Sequence, residues 1–266
     1  MSTLVCFHAH PDDEALSTGG LMAKASAAGH RVILVCATRG EQGEPQPGVL
    51  EPGEVLWTRR VVELAESAKL LGAEAPIFLD YEDSGMMDDP ANENPACFWQ
   101  ADVEEASARL AAILTEVDAD VLTIYDDHGL YGHPDHIQVH RVGLRAAELA
   151  DVDHVYEATV NRTRALESMS AMAAEMEADG VDAPSADDFD EFGVEEHNLT
   201  HVIDVTGQLT EKRAAMEVHR SQISEQSFFL YLPPERFAQV FANEWFATPG
   251  VTDTGGPTEV DLLPGL

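Results

Sequence analysis

Basic residues are scarce in this chain. Among its 266 residues, lysine and arginine together number 15, whereas aspartate and glutamate number 49, so the formal net charge is −34. A surface with this charge repels the phosphates of nucleic acids and the head groups of anionic membranes. The composition therefore argues against a nucleic-acid-binding protein and against a protein that attaches electrostatically to membranes.

Long hydrophobic runs and secretion signals are also missing. No segment approaches the roughly 20 apolar residues of a membrane-spanning helix. Met1–Thr3 leads directly into a predicted strand, without a basic region or a cleavable apolar segment, so we expect a cytoplasmic protein. Because no linker-like stretch divides the sequence, we expect a single domain over residues 1–266. Within it we expect an acidic loop insert at 175–196 and an extended tail at 250–266.

Two motifs of redox and thiol enzymes are absent as well. The three cysteines, Cys6, Cys36 and Cys97, include no Cys-x-x-Cys pair, so we interpret them as packing residues. The first predicted strand is not followed by Gly-x-Gly-x-x-Gly, so we expect no nicotinamide cofactor.

Strand and helix patterns alternate through the first two thirds of the sequence. Short apolar runs predict strands, and the longer stretches between them predict helices. Repeated βα units imply an α/β fold with a Rossmann-like, mostly parallel sheet and helices on both faces. The predicted strands are Leu4–Phe7, Arg31–Ala37, Ile77–Leu79, Val121–Tyr125, His154–Val160 and His201–Val205. The predicted helices are Glu14–Ala28, Val55–Leu71, Ala101–Val117, His136–Ala150, Arg162–Glu177 and Gly207–His219.

Histidines and carboxylates cluster directly after the first predicted strand, in the segment His8-Ala9-His10-Pro11-Asp12-Asp13-Glu14. In open α/β sheets, ligands bind at the carboxyl ends of the strands. Helix capping would account for one of the three carboxylates, but not for all three together with two histidines. The cluster therefore predicts a metal or catalytic site.

A second cluster, Tyr131-Gly132-His133-Pro134-Asp135-His136, follows the predicted strand Val121–Tyr125. Imidazole with carboxylate is the ligand set of a catalytic Zn²⁺ ion, and it also suits other divalent metals. His136 and His140 lie one helical turn apart, so they form a rival ligand pair. His133 lies three residues before His136, on the same side of the helix start. An acid at His133 and a base at Asp12 would thus flank one metal ion.

The two clusters resemble the metal-binding motifs of the PIG-L/LmbE-type zinc-dependent de-N-acetylases. This resemblance implies that His10, Asp13 and His136 are metal ligands. It also implies that Asp12 is the general base that activates the attacking water.

The same resemblance implies roles for three further residues of the second cluster. His133 would stabilise the oxyanion or protonate the leaving amine. Asp135 would tune a neighbouring histidine, and Tyr131 would reach the tetrahedral intermediate. Every one of these positions is filled as the family pattern requires.

Less specific matches extend the resemblance over most of the chain, and they favour the branch that acts on the inositol-linked glucosamine of mycothiol metabolism. In that branch the positions of Arg60 and Asp83 contact the sugar, although Arg60 could instead be a solvated charge on a helix. Ser17 stands where the deacetylases of this branch carry serine and the thiol-conjugate amidases tend to carry lysine. This residue favours deacetylation.

We therefore expect a hydrolase that removes an N-acetyl group from a small-molecule conjugate of the N-acetylglucosamine type. The resemblance implies Zn²⁺ and often a homo-oligomer, and Fe²⁺ suits the same ligands. One alternative is an amidase that cleaves a glucosaminyl thiol conjugate at the same site. Another is a non-catalytic metal-binding protein, which Asp12 and His133 argue against because neither is needed to hold a structural ion.

Overall fold

The sheet is the organising element of the fold. The computed structural model describes residues 1–168 and 192–263, and in these residues eight strands follow the order β3-β2-β1-β4-β5-β7-β6-β8. The strands are β1 Thr3–His8, β2 Arg31–Cys36, β3 Ile77–Phe78, β4 Val121–Tyr125, β5 His154–Thr159, β6 His201–Asp204, β7 Asn243–Ala247 and β8 Thr258–Glu259. The first five strands along the sheet are parallel, and β7 runs antiparallel to both of its neighbours.

Both faces of this sheet are covered, as β1 illustrates. Successive strand residues point to opposite faces, and accordingly Leu4 and Cys6 join one hydrophobic cluster whereas Val5 and Phe7 join another. The expectation of a mostly parallel α/β sheet with helices on both faces is confirmed. The helices are α1 Asp13–Ser17, α2 Gly19–Ala27, α3 Leu56–Leu70, α4 Val103–Val117, α5 Gly129–Gly132, α6 Pro134–Ala150, α7 Leu209–Val218, α8 Phe228–Tyr231 and α9 Pro234–Phe241.

The predicted helix Glu14–Ala28 is two helices in the structure, interrupted at Thr18. The carboxylate of Glu244 accepts hydrogen bonds from the backbone N–H groups of Gly20 (2.7 Å) and Leu21 (2.8 Å) at the start of α2. These donors have no partner within the helix, so Glu244 provides the new start with a cap. The sequence pattern could not reveal this break because the capping residue lies more than 220 positions away.

The strand β7 is absent from the sequence prediction. It enters between β5 and β6, and it carries Glu244, which is buried against Lys212 with an Nζ to Oε1 distance of 2.5 Å. A buried charged residue interrupts the apolar alternation that would indicate a strand.

Two predictions extend beyond the described part of the chain. Residues 162–168 are helical, and the remainder of the predicted helix Arg162–Glu177 lies outside the described residues. The same holds for most of the predicted acidic insert at 175–196. Among the described helices, none combines the length and the apolar character needed to cross a membrane.

Candidate metal and catalytic site

The two histidine and carboxylate clusters meet at one edge of the sheet. The strand β1 pairs with β2 on one side and with β4 on the other, and the chain runs outward through β2 and β3 before it returns to β4. This reversal of strand order opens a crevice at the carboxyl ends of β1 and β4, where ligands bind in open α/β sheets. Each cluster directly follows one of these two strands, so the fold brings them together.

His10 lies at the centre of the site. Its Nδ1 atom is 3.5 Å from Oδ2 of Asp13, and its Nε2 atom is 3.1 Å from Oδ2 of Asp135 and 3.5 Å from Oδ1 of Asp83. All four residues are buried, at 8% exposure or less. The structure thus adds Asp83, which comes from the loop after β3, to the residues that follow β1 and β4.

The imidazole of His136 indicates a metal ligand. Both of its ring nitrogens are buried, and neither has a hydrogen-bond partner among the residues that the structure describes. Such orphaned polar atoms are rare in protein interiors. The Nε2 atom of His136 is 3.4 Å from Oδ2 of Asp13, and ring nitrogens of His10, His133 and His136 lie within 4.8 Å of one another. This donor set of imidazoles and a carboxylate fits a divalent metal ion.

His140 does not belong to this group, contrary to the rival pairing with His136. Its Nδ1 atom is 3.0 Å from the carbonyl oxygen of Tyr125 and 3.3 Å from Oε1 of Glu157. These two contacts hold the His140 ring beside β5. None of the candidate metal-binding groups in the described residues includes His140.

Asp135 is fixed by the loop after β3. Its carboxylate accepts hydrogen bonds from the backbone N–H of Ser84, at 2.9 Å, and from the Ser84 hydroxyl. The histidine that this carboxylate touches is His10, whereas the backbone N–H of Asp135 donates to Nδ1 of His133 at 3.1 Å. A predicted tuning role of Asp135 would therefore act on His10.

The backbone contact of His133 determines where its ring proton lies. Burial, together with the nearby charges of His10 and His136, lowers the pKa of His133 well below its ordinary value. The ring is therefore neutral, and because Nδ1 accepts a hydrogen bond, the proton is on Nε2. A neutral histidine in this tautomer can donate a hydrogen bond to a substrate oxygen or nitrogen.

Asp12 has an unusual backbone conformation, with φ 115° and ψ −28°. Residues other than glycine rarely adopt positive φ, and such strain persists only where the surroundings enforce it. Here the backbone N–H of Asp12 donates to Oε2 of Glu14 at 3.0 Å. Arg60 donates to the carbonyl oxygen of Pro11 at 2.6 Å and to Oδ2 of Asp12 at 3.2 Å. Burial raises the pKa of Asp12 to about 6, although the charge of Arg60 opposes this rise.

Arg60 is buried, at 3% exposure, so it is not the solvated helix charge that the sequence left open. Its guanidinium group also donates to the carbonyl oxygen of Gly40 at 2.9 Å. Gly40 has φ +70°, and a Cβ atom there would collide with the guanidinium group. The glycine-containing loop after β2 therefore leaves the space in which Arg60 reaches Asp12.

Tyr131 and Ser17 differ in their relation to this cluster. The ring of Tyr131 lies edge-on to that of His136, with ring centroids 5.0 Å apart, and 43% of the residue is exposed at the opening of the site. Ser17 is the last residue of α1 and is half-buried. Among the described residues, its side chain makes no hydrogen bond with any member of the cluster.

Two aromatic residues, Tyr125 and His8, support the metal-binding group. His8 belongs to the first predicted cluster, whereas no role for Tyr125 was predicted from the sequence. The ring of Tyr125 stacks on His136, with centroids 4.4 Å apart and an interplanar angle of 19°, and its hydroxyl is 2.7 Å from Nδ1 of His8. His8 in turn contacts the hydroxyl of Thr18 at 2.9 Å, and burial lowers its pKa to about 4, so it is neutral. Tyr125 ends a predicted strand, where an aromatic residue indicates core packing rather than a site.

The profile of one protein family, described as GlcNAc-PI de-N-acetylase (PIG-L), matches residues 5–147. This range contains both clusters. The chain is also 39% identical, over 97% of its length and 96% of the relative's, to "1D-myo-inositol 2-acetamido-2-deoxy-alpha-D-glucopyranoside deacetylase" from Thermomonospora curvata.

Two solved structures are similar in fold. An N,N'-diacetylchitobiose deacetylase from Pyrococcus horikoshii covers 94% of this chain, and 84% of its own chain is matched, with 24% identity and a TM-score of 0.57. A 4-carboxy-2-hydroxymuconate hydratase from Pseudomonas putida covers 95% of this chain, and 98% of its own chain is matched, with 18% identity and a TM-score of 0.60. Because these two folds carry different reactions, function has to be argued from the site.

Proposed function

This chain belongs to the PIG-L family of GlcNAc-PI de-N-acetylases, and from this membership we propose that it removes the N-acetyl group from an N-acetylglucosaminyl-inositol conjugate. It is an amide hydrolase. The observation that carries the proposal is the buried imidazole of His136, which lies without a hydrogen-bond partner among the described residues, beside His10 and Asp13. The name of the Thermomonospora curvata relative, which aligns with 97% of this chain, supports the choice of substrate.

The residues that would hold the metal are His10, Asp13 and His136, and we propose Zn²⁺ as the ion. Fe²⁺ fits the same nitrogen and oxygen donors. When bound, the ion would act as a Lewis acid that polarises the acetyl carbonyl group and lowers the pKa of water.

Asp12 is the proposed general base, which takes a proton from the attacking water. It directly precedes Asp13, so its carboxylate lies beside the proposed ligands while its own contact is with Arg60. A pKa of about 6 leaves this carboxylate ionised at neutral pH and close to the range in which proton transfer is efficient. Arg60 restrains the carboxylate, and the strained backbone fixes the direction in which it points.

His133 and Tyr131 are the proposed hydrogen-bond donors to the acyl oxygen, on which negative charge develops during the reaction. The Nε2–H group of neutral His133 can donate a hydrogen bond to the acyl oxygen. The proton that Asp12 takes from the water can then pass to the leaving nitrogen. The Tyr131 hydroxyl can bind the acyl oxygen from the opening of the site. Removal of one such donor typically lowers kcat by ~10²–10³-fold.

The sugar contacts predicted for Arg60, Asp83 and Ser17 stay predictions. Arg60 and Asp83 are bound to Asp12 and His10, respectively, so their direct role in the structure is to hold these two residues. The identity of the metal, a cytoplasmic location and a homo-oligomeric state also stay predictions.

The amidase alternative would use the same metal and the same base on a larger substrate. Ser17 favours the deacetylase because thiol-conjugate amidases tend to carry lysine at this position. The non-catalytic alternative is less consistent with the site, since a protein that only stores an ion has no need of a strained carboxylate beside it.

Two substitutions separate ligand from base. We expect Asp12→Asn to keep about one equivalent of metal and to lower kcat for deacetylation by ~10²-fold or more, the contribution of a general base. We expect His136→Ala to lose both metal and activity. Metal content by elemental analysis and release of free amine from N-acetylglucosaminyl-inositol provide the two measurements.

His154→Ala is the matched control, because His154 lies exposed at the start of β5, and it should keep both metal and activity. Loss of metal in Asp12→Asn would show that Asp12 is a ligand rather than the base. Full activity in His136→Ala would contradict the proposed function.

A further inference from the structure

The backbone of Leu130, the residue before Tyr131, has an unfavourable conformation. Leu130 has φ 67° and ψ −54°, a region that branched residues with a Cβ atom rarely adopt. Conformations of this kind persist only where surrounding groups enforce them, and they cluster at functional sites. Leu130 directly precedes Tyr131, so its backbone angles decide where the tyrosine ring lies.

Hydrogen bonds hold both polar groups of Leu130. Oδ1 of Asp126 accepts from its backbone N–H at 2.7 Å, and the backbone N–H of Gly193 donates to its carbonyl oxygen at 2.7 Å. Asp126 is 2% exposed, and its second oxygen, Oδ2, accepts a hydrogen bond from the hydroxyl of Thr159 at the end of β5. We call Asp126, Thr159 and Gly193 the Leu130 clamp.

Gly193 itself is tightly placed. Its carbonyl oxygen accepts from Nη2 of Arg162 at 2.7 Å and lies 3.2 Å from Nε2 of His128. It has φ +64°, and a Cβ atom there would collide with the carbonyl oxygen of Val160. The backbone donor that reaches Leu130 is therefore fixed from several sides.

The clamp acts on a ring that faces the metal-binding histidines. Tyr131 lies edge-on to His136, with centroids 5.0 Å apart, and stacks on Phe192, with centroids 6.4 Å apart and an interplanar angle of 29°. Phe192 directly precedes Gly193. The segment that holds the Leu130 carbonyl thus also packs against the Tyr131 ring.

A metal site at Asp126, Asp127 and His128 would be another interpretation of this region, since their ligand atoms lie within 4.8 Å of one another. Both carboxylate oxygens of Asp126 already accept hydrogen bonds, and the side chain of Asp127 is 82% exposed. Nothing else in the described structure points to an ion there.

We propose that Asp126, Thr159 and Gly193 are positioning residues for the deacetylation. They hold Leu130 in its strained conformation and thereby keep the Tyr131 hydroxyl over the reacting amide. The inference rests on the proposed function, because it takes Tyr131 as a donor to the tetrahedral intermediate. Loss of the Leu130 clamp should therefore lower kcat and leave metal binding unchanged, since no residue of the clamp contacts His10, Asp13 or His136 in the described structure.

A double-mutant cycle between Asp126 and Tyr131 tests this coupling. Asp126→Ala should lower kcat by ~10–100-fold, as expected for a misplaced catalytic group, with KM and metal affinity unchanged. In a Tyr131→Phe background the same substitution should change kcat by less than ~2-fold, because residues that act through one group are not additive. Asp126→Asn keeps an acceptor for the Leu130 N–H and should restore most of the activity.

Thr159→Val is the milder substitution in case Asp126→Ala does not fold, with Thr159→Ser as its matched control. Thr159→Val removes the hydroxyl that donates to Asp126, and it should lower kcat by ~3–10-fold because the clamp is weakened but not broken. Thr159→Ser keeps this hydroxyl and should keep kcat. Equal losses of kcat with the native tyrosine and in the Tyr131→Phe background, or a parallel loss of metal affinity, would overturn the proposal.

Failure of the proposed function gives a different result, namely that the unsubstituted enzyme hydrolyses none of the acetylated amino sugars offered. A crystal structure of Asp126→Ala then decides the inference on its own. Relaxation of Leu130 to negative φ with displacement of the Tyr131 ring supports the clamp, and an unchanged loop contradicts it.

Discussion

Replacing His219 with leucine should destabilise the fold and disturb the catalytic loop through one buried contact. Nε2 of His219 is 2.6 Å from Oε1 of Glu14, and both side chains are fully buried. Burial lowers the pKa of His219, but the charge of Glu14 overcomes this and raises it above its ordinary value. Burial likewise raises the pKa of Glu14, and His219 reverses the shift, so the pair is ionised in the folded protein.

The size of the effect follows from what the leucine leaves behind. Removing one partner of a buried ion pair typically costs about 3–5 kcal/mol, because the remaining charge stays desolvated. At ~2–4 °C per kcal/mol for a domain of this size, Tm should fall by ~6–20 °C. His219→Gln keeps an N–H donor of similar reach, so it should lose clearly less stability than His219→Leu.

The same substitution should reach Asp12. Oε2 of Glu14 accepts the backbone N–H of Asp12, which has the strained φ of 115°. Once Glu14 is protonated or displaced, that strain can relax and move the proposed base. We therefore expect a lower kcat at temperatures well below Tm, with metal affinity unchanged.

Urea unfolding followed by circular dichroism, together with kcat for amine release, measures both effects. A free energy of unfolding for His219→Leu within about 1 kcal/mol of the parent would refute the reasoning, since it would mean that Glu14 gains no net stabilisation from the pair.

Two further predictions concern stability against pH and the placement of Arg60. The titratable groups that face Glu157 are Asp126, Asp127 and His140. Burial, with the charges of the two aspartates, raises the pKa of Glu157 to about 8, so the folded state favours its protonated form. The contribution of protonated Glu157 to the free energy of unfolding is complete below its ordinary pKa of about 4.5 and is lost as the pH rises towards 8. Urea unfolding at a series of pH values should show this loss in the parent protein and not in Glu157→Gln. Gly40→Ala should displace Arg60, because the added Cβ atom would occupy the position of the guanidinium group. We expect a lower kcat with unchanged metal content. A crystal structure of this variant in which Arg60 still contacts Asp12 would contradict the prediction.

The parallel half of the fold and the location of the site were predictable from local patterns. Short apolar runs identify the strands from β1 to β5 that build the parallel part, and the two histidine and carboxylate clusters directly follow β1 and β4. Sequence order alone then places both clusters at the reversal of strand order, where ligands bind. The family match and the full-length relative agree with the family that the two clusters indicated.

Contacts between distant residues could not be predicted in this way. The interruption of the first helix depends on Glu244, and the conformation of Asp12 depends on Glu14 and His219. Each of these contacts either joins segments more than 200 residues apart or sets a backbone angle that no periodicity encodes. The role of Arg60 also needed the structure, since its spacing on a helix does not tell a buried guanidinium group from a solvated one.

Metal-dependent release of free amine from N-acetylglucosaminyl-inositol tests the central claim most directly. The protein would be stripped of metal, reconstituted with Zn²⁺ or Fe²⁺, and compared with His136→Ala under the same conditions. We predict that deacetylation appears with about one equivalent of bound metal, as expected for a single catalytic ion, and is absent in the metal-free protein and in His136→Ala. Turnover by metal-free protein, or no turnover with one equivalent of metal bound, would contradict the account.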